Sequence, residues 1–218
     1  MKKLVIGLMV ALLAGAAFAD VIASWELSAY AGDEASAPAD TMIGNMEQIT
    51  ITRGAGLSTS ANGGRFCAIG FSSLLADSLA NDDYFTFTVE ASSGYQFSLS
   101  SLVMDFQASG TGPQSWALYS SVAGFTAGNE IGNWAAVGNS TQTASLSGIG
   151  GLQSVTGPVE FRIYGYGASA TTGTGGIEGA GVDMQIDGTV AAAPVPEPAT
   201  MALLGFGALA LAIRRRKS

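Results

Sequence analysis

The chain has 218 residues, no histidine, a single cysteine, and nine basic against 17 acidic residues, for a formal net charge of −8. The missing histidine excludes Ser-His-Asp and Cys-His catalysis and removes the commonest transition-metal ligand, and one cysteine leaves no internal disulfide. A chain this acidic repels phosphate backbones, so nucleic acid is not an expected partner.

Lys2 and Lys3 precede an apolar run from Leu4 to Ala17 and the small-residue triplet Ala17-Phe18-Ala19. Residues 1–19 therefore read as a secretory signal peptide, cut by signal peptidase before Asp20; a retained anchor helix is the competing reading. No cysteine follows the cut, so lipidation there is not expected.

Residues 20–193 are expected to form one domain. They hold only three basic residues, Arg53, Arg65 and Arg162, against 16 acidic ones. Period-two alternation between Gly, Ser, Asn and Asp clusters predicts strands over 21–27, 48–53, 65–71, 84–90, 96–106, 115–120, 141–146, 159–164 and 182–187. In 84–90, Phe85, Phe87 and Val89 share one face; in 159–164, Val159, Phe161 and Ile163 do; in 182–187, Val182, Met184 and Ile186 do. Ser73 to Leu79 reads as a helical turn. Ala168 to Gly181, with three threonines and five glycines, reads as a long flexible surface loop without modification, O-linked sugars on its hydroxyls being the alternative. The class is all-β, an antiparallel β-sandwich of jelly-roll type.

Candidate chemistry within the sandwich is sparse. Cys67, in an apolar strand context, reads as a buried structural thiol. Calcium is the one cofactor considered, with Asp183 and Asp187 as ligands and Asp82 with Asp83 as a further pair; both pairs also read as ordinary solvated carboxylates, Asp183 and Asp187 on the solvent face of their strand. Two-carboxylate glycoside hydrolysis stays chemically open, but a domain this small offers little cleft, and no enzyme activity is expected. Tyr119, Tyr164, Tyr166 and Trp134 are candidate glycan contacts, since flat rings pack against the C–H faces of sugars. Alternation places Trp116 in the core and Tyr119 outside, with Tyr164 and Tyr166 pointing outward beside Arg162 and Trp134 in a loop. The competing reading has the tyrosines merely covering the outer sheet face.

Residues 194–218 form a tail. Prolines 194, 196 and 198 keep it extended, and 199–213 is an apolar run whose 15 residues span roughly 22 Å as a helix, short of the roughly 30 Å hydrocarbon core. Arg214, Arg215, Arg216 and Lys217 then stop transfer and stay cytoplasmic. Val195-Pro196-Glu197-Pro198, the short apolar helix and the basic end together resemble the PEP-CTERM sorting signal of exported bacterial proteins. A plain tail anchor with a Pro-rich linker is the alternative.

That resemblance implies recognition of Pro196, Glu197 and Pro198 by an exosortase, a membrane-embedded cysteine protease, temporary inner-membrane anchoring through the helix, and delivery to the outer surface or extracellular matrix. The strands around Trp116 to Phe125, Val159 to Gly165 and Ile186 to Val190 loosely resemble the jelly-roll carbohydrate-binding modules that often accompany this tail. The expectation is a non-enzymatic surface or matrix protein of a polysaccharide-producing bacterium, with exopolysaccharide as a further partner. A carbohydrate-binding module and a small polysaccharide-cleaving enzyme are the rivals.

Overall fold

Strands that present apolar residues to one side only are stable when that side faces another sheet, and this chain supplies enough of them for two sheets. The computed structural model describes residues 19–135, 139–179 and 181–194. In chain order the elements are β1 (Asp20–Trp25), β2 (Ala37–Pro38), β3 (Thr41–Met42), β4 (Thr50–Arg53), β5 (Ser58–Thr59), β6 (Phe66–Ile69) and α1 (Leu75–Asn81). There follow β7 (Tyr84–Val89), β8 (Tyr95–Ala108), β9 (Ser115–Ser120), β10 (Gly132–Trp134), β11 (Ser140–Ser145), β12 (Val159–Tyr166), β13 (Gly175–Ile177) and β14 (Met184–Ala192).

One sheet has β8 as its spine. β14 pairs with the first part of β8 and β13 with its last three residues, while β11 overlaps both registers and so lies on β8's other side. β1 and β3 continue the sheet beyond β14, and β6 and β5 beyond β13. The second sheet runs β10-β9-β12-β7-β4-β2, and all these pairings are antiparallel. Strands β1, β14, β8 and β11 face β7, β12, β9 and β10, and the connections β7–β8, β8–β9, β10–β11 and β11–β12 cross between the sheets, which is jelly-roll winding.

The two inner faces meet in an aromatic core. Trp116 stacks on Phe106 at 4.4 Å between ring centroids, Phe87 stacks on Phe161 at 5.2 Å, and Trp25, Phe66, Phe71 and Phe85 fill the space between. Phe85, Phe87 and Val89, with Val159, Phe161 and Ile163, point inward as alternation predicts. In β8 the buried phase slips between Leu99 and Leu102, where the partner register jumps from Asp187 to Gly188. Ser100 is the extra residue of this bulge, and its carbonyl accepts from the Leu146 and Ser147 amides.

Arg53 ties the 26–36 loop to the sandwich. Its guanidinium lies 3.7 Å over the Phe66 ring and donates to the carbonyls of Cys67, Glu34 and Gly32. Cys67 is fully buried beside it, and burial pushes its thiol pKa up.

The sandwich has two distinct ends. At the base lie Asp20, opposite Gly188, and Ala192, opposite Tyr95. At the apex lie Ala108, opposite Gly175, and Tyr166, opposite Ser115. Strand β8, with 14 residues, joins base to apex over roughly 40 Å.

Three expectations are corrected. The segment from Ala168 to Gly181 is not all surface loop, because Gly175–Ile177 forms β13, fully buried between β6 and β8. Trp134 lies in a strand, paired with Trp116, and is half-buried against the core rather than in a loop. Val182, expected inward, is 53% exposed, because the strand begins only at Met184.

Candidate functional site

The outward residues of β9 and β12 were the expected glycan platform, and they do leave the core on the outer face of the six-stranded sheet. That face is not open. Tyr119 and Tyr164 are fully buried with Ala117 in a second apolar cluster, beneath Leu75 and Leu79 of α1 and Phe125 of the 121–131 loop. α1 is held there by the buried Ser78, whose hydroxyl donates to the Gly165 carbonyl at 3.0 Å. Tyr164 meets Tyr84 and Tyr119 edge-on at 5.2 and 5.3 Å. Arg162 closes the cluster's rim, its guanidinium 4.4 Å from the Tyr84 ring and 4.0 Å from Phe125, with its Nε donating to Glu160 at 2.7 Å.

The expectation that Tyr119 and Tyr164 are exposed is thus wrong, and neither can stack on a sugar. Burial pushes both phenols up, that of Tyr119 further because its hydroxyl donates to Glu130. Tyr166 remains half-exposed and donates to Asn133 Oδ1 at 2.7 Å.

The calcium candidates also sit differently from expectation. Asp183 precedes its strand, is 1% exposed and accepts the Leu27 amide on Oδ2, so it does not stand on a solvent face. Burial raises its pKa, and Asp105 and Glu178 nearby raise it further. Asp187 is half-buried and accepts from Ser101 Oγ at 2.8 Å and Gln185 Nε2 at 2.7 Å. Among the described residues no three His, Cys, Asp or Glu side chains converge as metal ligands. Asp83 is likewise buried rather than solvated, at 1% exposure, and its carboxylate accepts from Ser72 Oγ at 2.5 Å.

Two concavities stand out among the described residues. A groove of 260 Å³ on the outer sheet face toward the base is walled by Gln48, Thr50, Thr52, Thr88 and Glu160. The larger, of 440 Å³, opens at the apex between the chain after β6 and the chain after β12. Ala168 and Ala170 line its bottom above the buried Phe71, and Ser72, Ser73, Asp77, Asn81, Ser169 and Thr171 supply its polar groups. Backbone bonds lace the two walls together: Gly70 N–H to Thr171 O at 2.9 Å, Gly167 N–H to Ser73 O at 3.1 Å and Ala168 N–H to Ser72 O at 3.3 Å. No local sequence pattern announces this pocket, since its walls are about a hundred residues apart and meet through these bonds and the Ser72–Tyr166 bridge between parallel segments.

The sorting residues Val195, Pro196, Glu197 and Pro198, the 199–213 helix, the basic end Arg214 to Lys217 and the signal segment up to residue 18 lie outside the described residues. Among the described residues no helix is long and apolar enough to cross a membrane. Residues 194–217 match the family model of the PEP-CTERM protein-sorting motif. This motif marks export and processing at the membrane by an exosortase. No curated protein matches the chain.

Proposed function

We propose that this chain is a non-enzymatic protein of the cell surface or extracellular matrix of a polysaccharide-producing bacterium. It is led across the inner membrane by residues 1–19, paused there by its tail, and released by exosortase cleavage near Pro196 to Pro198. The observation that carries the reading is the match of residues 194–217 to the sorting motif.

The fold is compatible with this route. Asp20 and Ala192 both lie at the base, with Ala192 only four residues beyond the partner of Asp20, about 13 Å along the strand. A chain held at both ends by membrane segments can therefore fold without either end crossing the sandwich. The three cations of the described domain are all engaged: Arg53 with backbone carbonyls, Arg65 with Glu178 at 2.8 Å and Arg162 with Glu160. An acidic surface without free counter-charges keeps an exported protein soluble.

The test is Pro196→Ala combined with Pro198→Ala in the native host. The full-length tail is expected to stay in the membrane fraction, seen by intact mass. Normal release of the double variant refutes the role given to the motif.

A further inference from the structure

We propose that the apex pocket binds a neutral, hydroxyl-rich ligand, a single sugar residue at the end or side of a glycan. The choice of glycan over another polyol rests on the matrix setting proposed above, whereas the pocket itself does not depend on sorting.

Charge narrows the ligand first. None of the three arginines of the described domain lines the pocket, and Asp77 does, with the buried Asp83 behind its wall. Phosphates, sulfates and carboxylates would meet no counter-charge there. Metal ions fare no better, because Asp77 is the pocket's single lining carboxylate and a hard cation wants six or more oxygens from several groups.

The lining then matches a sugar. Four hydroxyls, one amide and one carboxylate surround the small apolar surface of Ala168 and Ala170, with the Phe71 ring closed off beneath at 1% exposure, which gives donors and acceptors around the rim and a methyl patch for C–H groups. The volume, 440 Å³, falls within the range of roughly 300–1,000 Å³ usual for small-ligand sites. The smaller groove near the base, of 260 Å³, falls below that range.

The pocket is also preformed. Ser72 donates to the buried Asp83 and accepts from Asn81 Nδ2 at 3.3 Å, which fixes its hydroxyl and leaves an acceptor lone pair for a ligand hydroxyl. The three backbone bonds between its walls remove the ordering cost that a loose loop would impose on binding. Its position matters too. The pocket lies at the opposite end of the roughly 40 Å β8 from the point where the tail departs, so a chain paused in the membrane presents it outward.

The test uses the full chain in detergent and saturation-transfer NMR with glucose, galactose, mannose, N-acetylglucosamine and their β-linked dimers as probes. Transfer to at least one of these sugars is expected, with at least a tenfold loss of affinity in Ser169→Trp, which fills the mouth, and a several-fold loss in Asn81→Ala. Thr88→Ala, in the other groove, should leave binding unchanged. Near-ultraviolet circular dichroism shows that each variant is folded, and Asn81→Ala, at an exposed helix end, keeps the test valid should the tryptophan disturb the loop. No transfer to any of these sugars, or transfer undiminished in both pocket variants, overturns the proposal. Sorting is read separately from the Pro196/Pro198 variant, so the two ideas fail independently.

Discussion

The Tyr119 hydroxyl donates to Glu130 Oε1 at 2.6 Å, which pins the 121–131 loop over the outer face of the six-stranded sheet. The same oxygen accepts the Gly128 amide at 3.2 Å, so one carboxylate organises the loop from both directions. Hydrogen bonds to charged groups contribute roughly 1.5–3 kcal/mol when sheltered and less when the acceptor is as open to water as Glu130. Tyr119→Phe, which keeps the ring contacts and loses the bond, should therefore cost about 1 kcal/mol in urea unfolding. Tyr119→Ala also empties a buried ring site and should cost about 3–5 kcal/mol. If the phenylalanine variant unfolds at the same urea concentration as the parent, the loop is held by something else.

Two buried carboxyls make stability depend on pH in an unusual direction. Burial raises the pKa of Asp83 and of Asp183 in the folded chain, above the unfolded value of about 3.9. A raised folded pKa gives stability that is fully present below about pH 3.9 and is lost as pH rises through the folded value. Glu130 acts oppositely. Its pKa is lowered by the Tyr119 bond, so its contribution is present above the unfolded value, about 4.3, and is lost as pH falls through the folded one. Asp183→Asn removes a buried charge that faces Asp105 and Glu178. The variant's melting temperature relative to the parent should thus be highest at pH 7 and should fall toward pH 4. A difference independent of pH would mean that Asp183 does not titrate in this range.

Much of the sandwich is legible in single strands, and what is not legible depends on partners distant in sequence. Tyr84–Val89 and Val159–Tyr166 alternate cleanly, so their inner and outer faces follow from local pattern alone. The same pattern gives the direction of Tyr119 and Tyr164 and says nothing of their cover, because Leu75, Leu79 and Phe125 come from other segments. Asp183 misleads for a different reason. It sits one residue before the strand, where the Leu27 amide, 156 positions away, takes its carboxylate. The apex pocket joins residues 70–73 to 168–171, and no periodicity reports such a junction.

The Gly-rich stretch after β12 shows how composition hides a strand. A Cβ on Gly176 would lie 2.5 Å from the Phe66 carbonyl oxygen and 3.1 Å from Cys67 Cα, both backbone atoms that cannot swing aside. Glycine is there so that β13 can fit between β6 and β8, not to loosen the chain. Gly176→Ala should cost about 1–3 kcal/mol, the usual range for overpacking, by pushing β6 off the sheet. Hydrogen exchange should quicken at the Phe66 and Ala68 amides of β6, which flank Gly176's partner Cys67, in the variant. Unchanged exchange and stability would show that β13 is as loose as its composition suggests.

The folded domain holds the chain almost up to the sorting motif. β14 pairs with β8 as far as Ala192, and the Ala193 amide donates to the Gly94 carbonyl at 2.8 Å. Pro196 follows three residues later, no more than roughly 10 Å of extended chain. A protease working at the membrane must reach the motif within that span, beside the base turns at 43–48 and 91–94. Deleting Pro194 and Val195 pulls Pro196 against these turns, and unprocessed protein should accumulate in the membrane fraction, measured by intact mass. Inserting four Gly and Ser residues after Ala193 in the same deletion variant should restore processing, because it returns the reach without restoring the lost residues. Restoration by the spacer separates a demand for distance from a demand for Pro194 and Val195 themselves, and processing that survives the deletion without the spacer removes the domain base from the account.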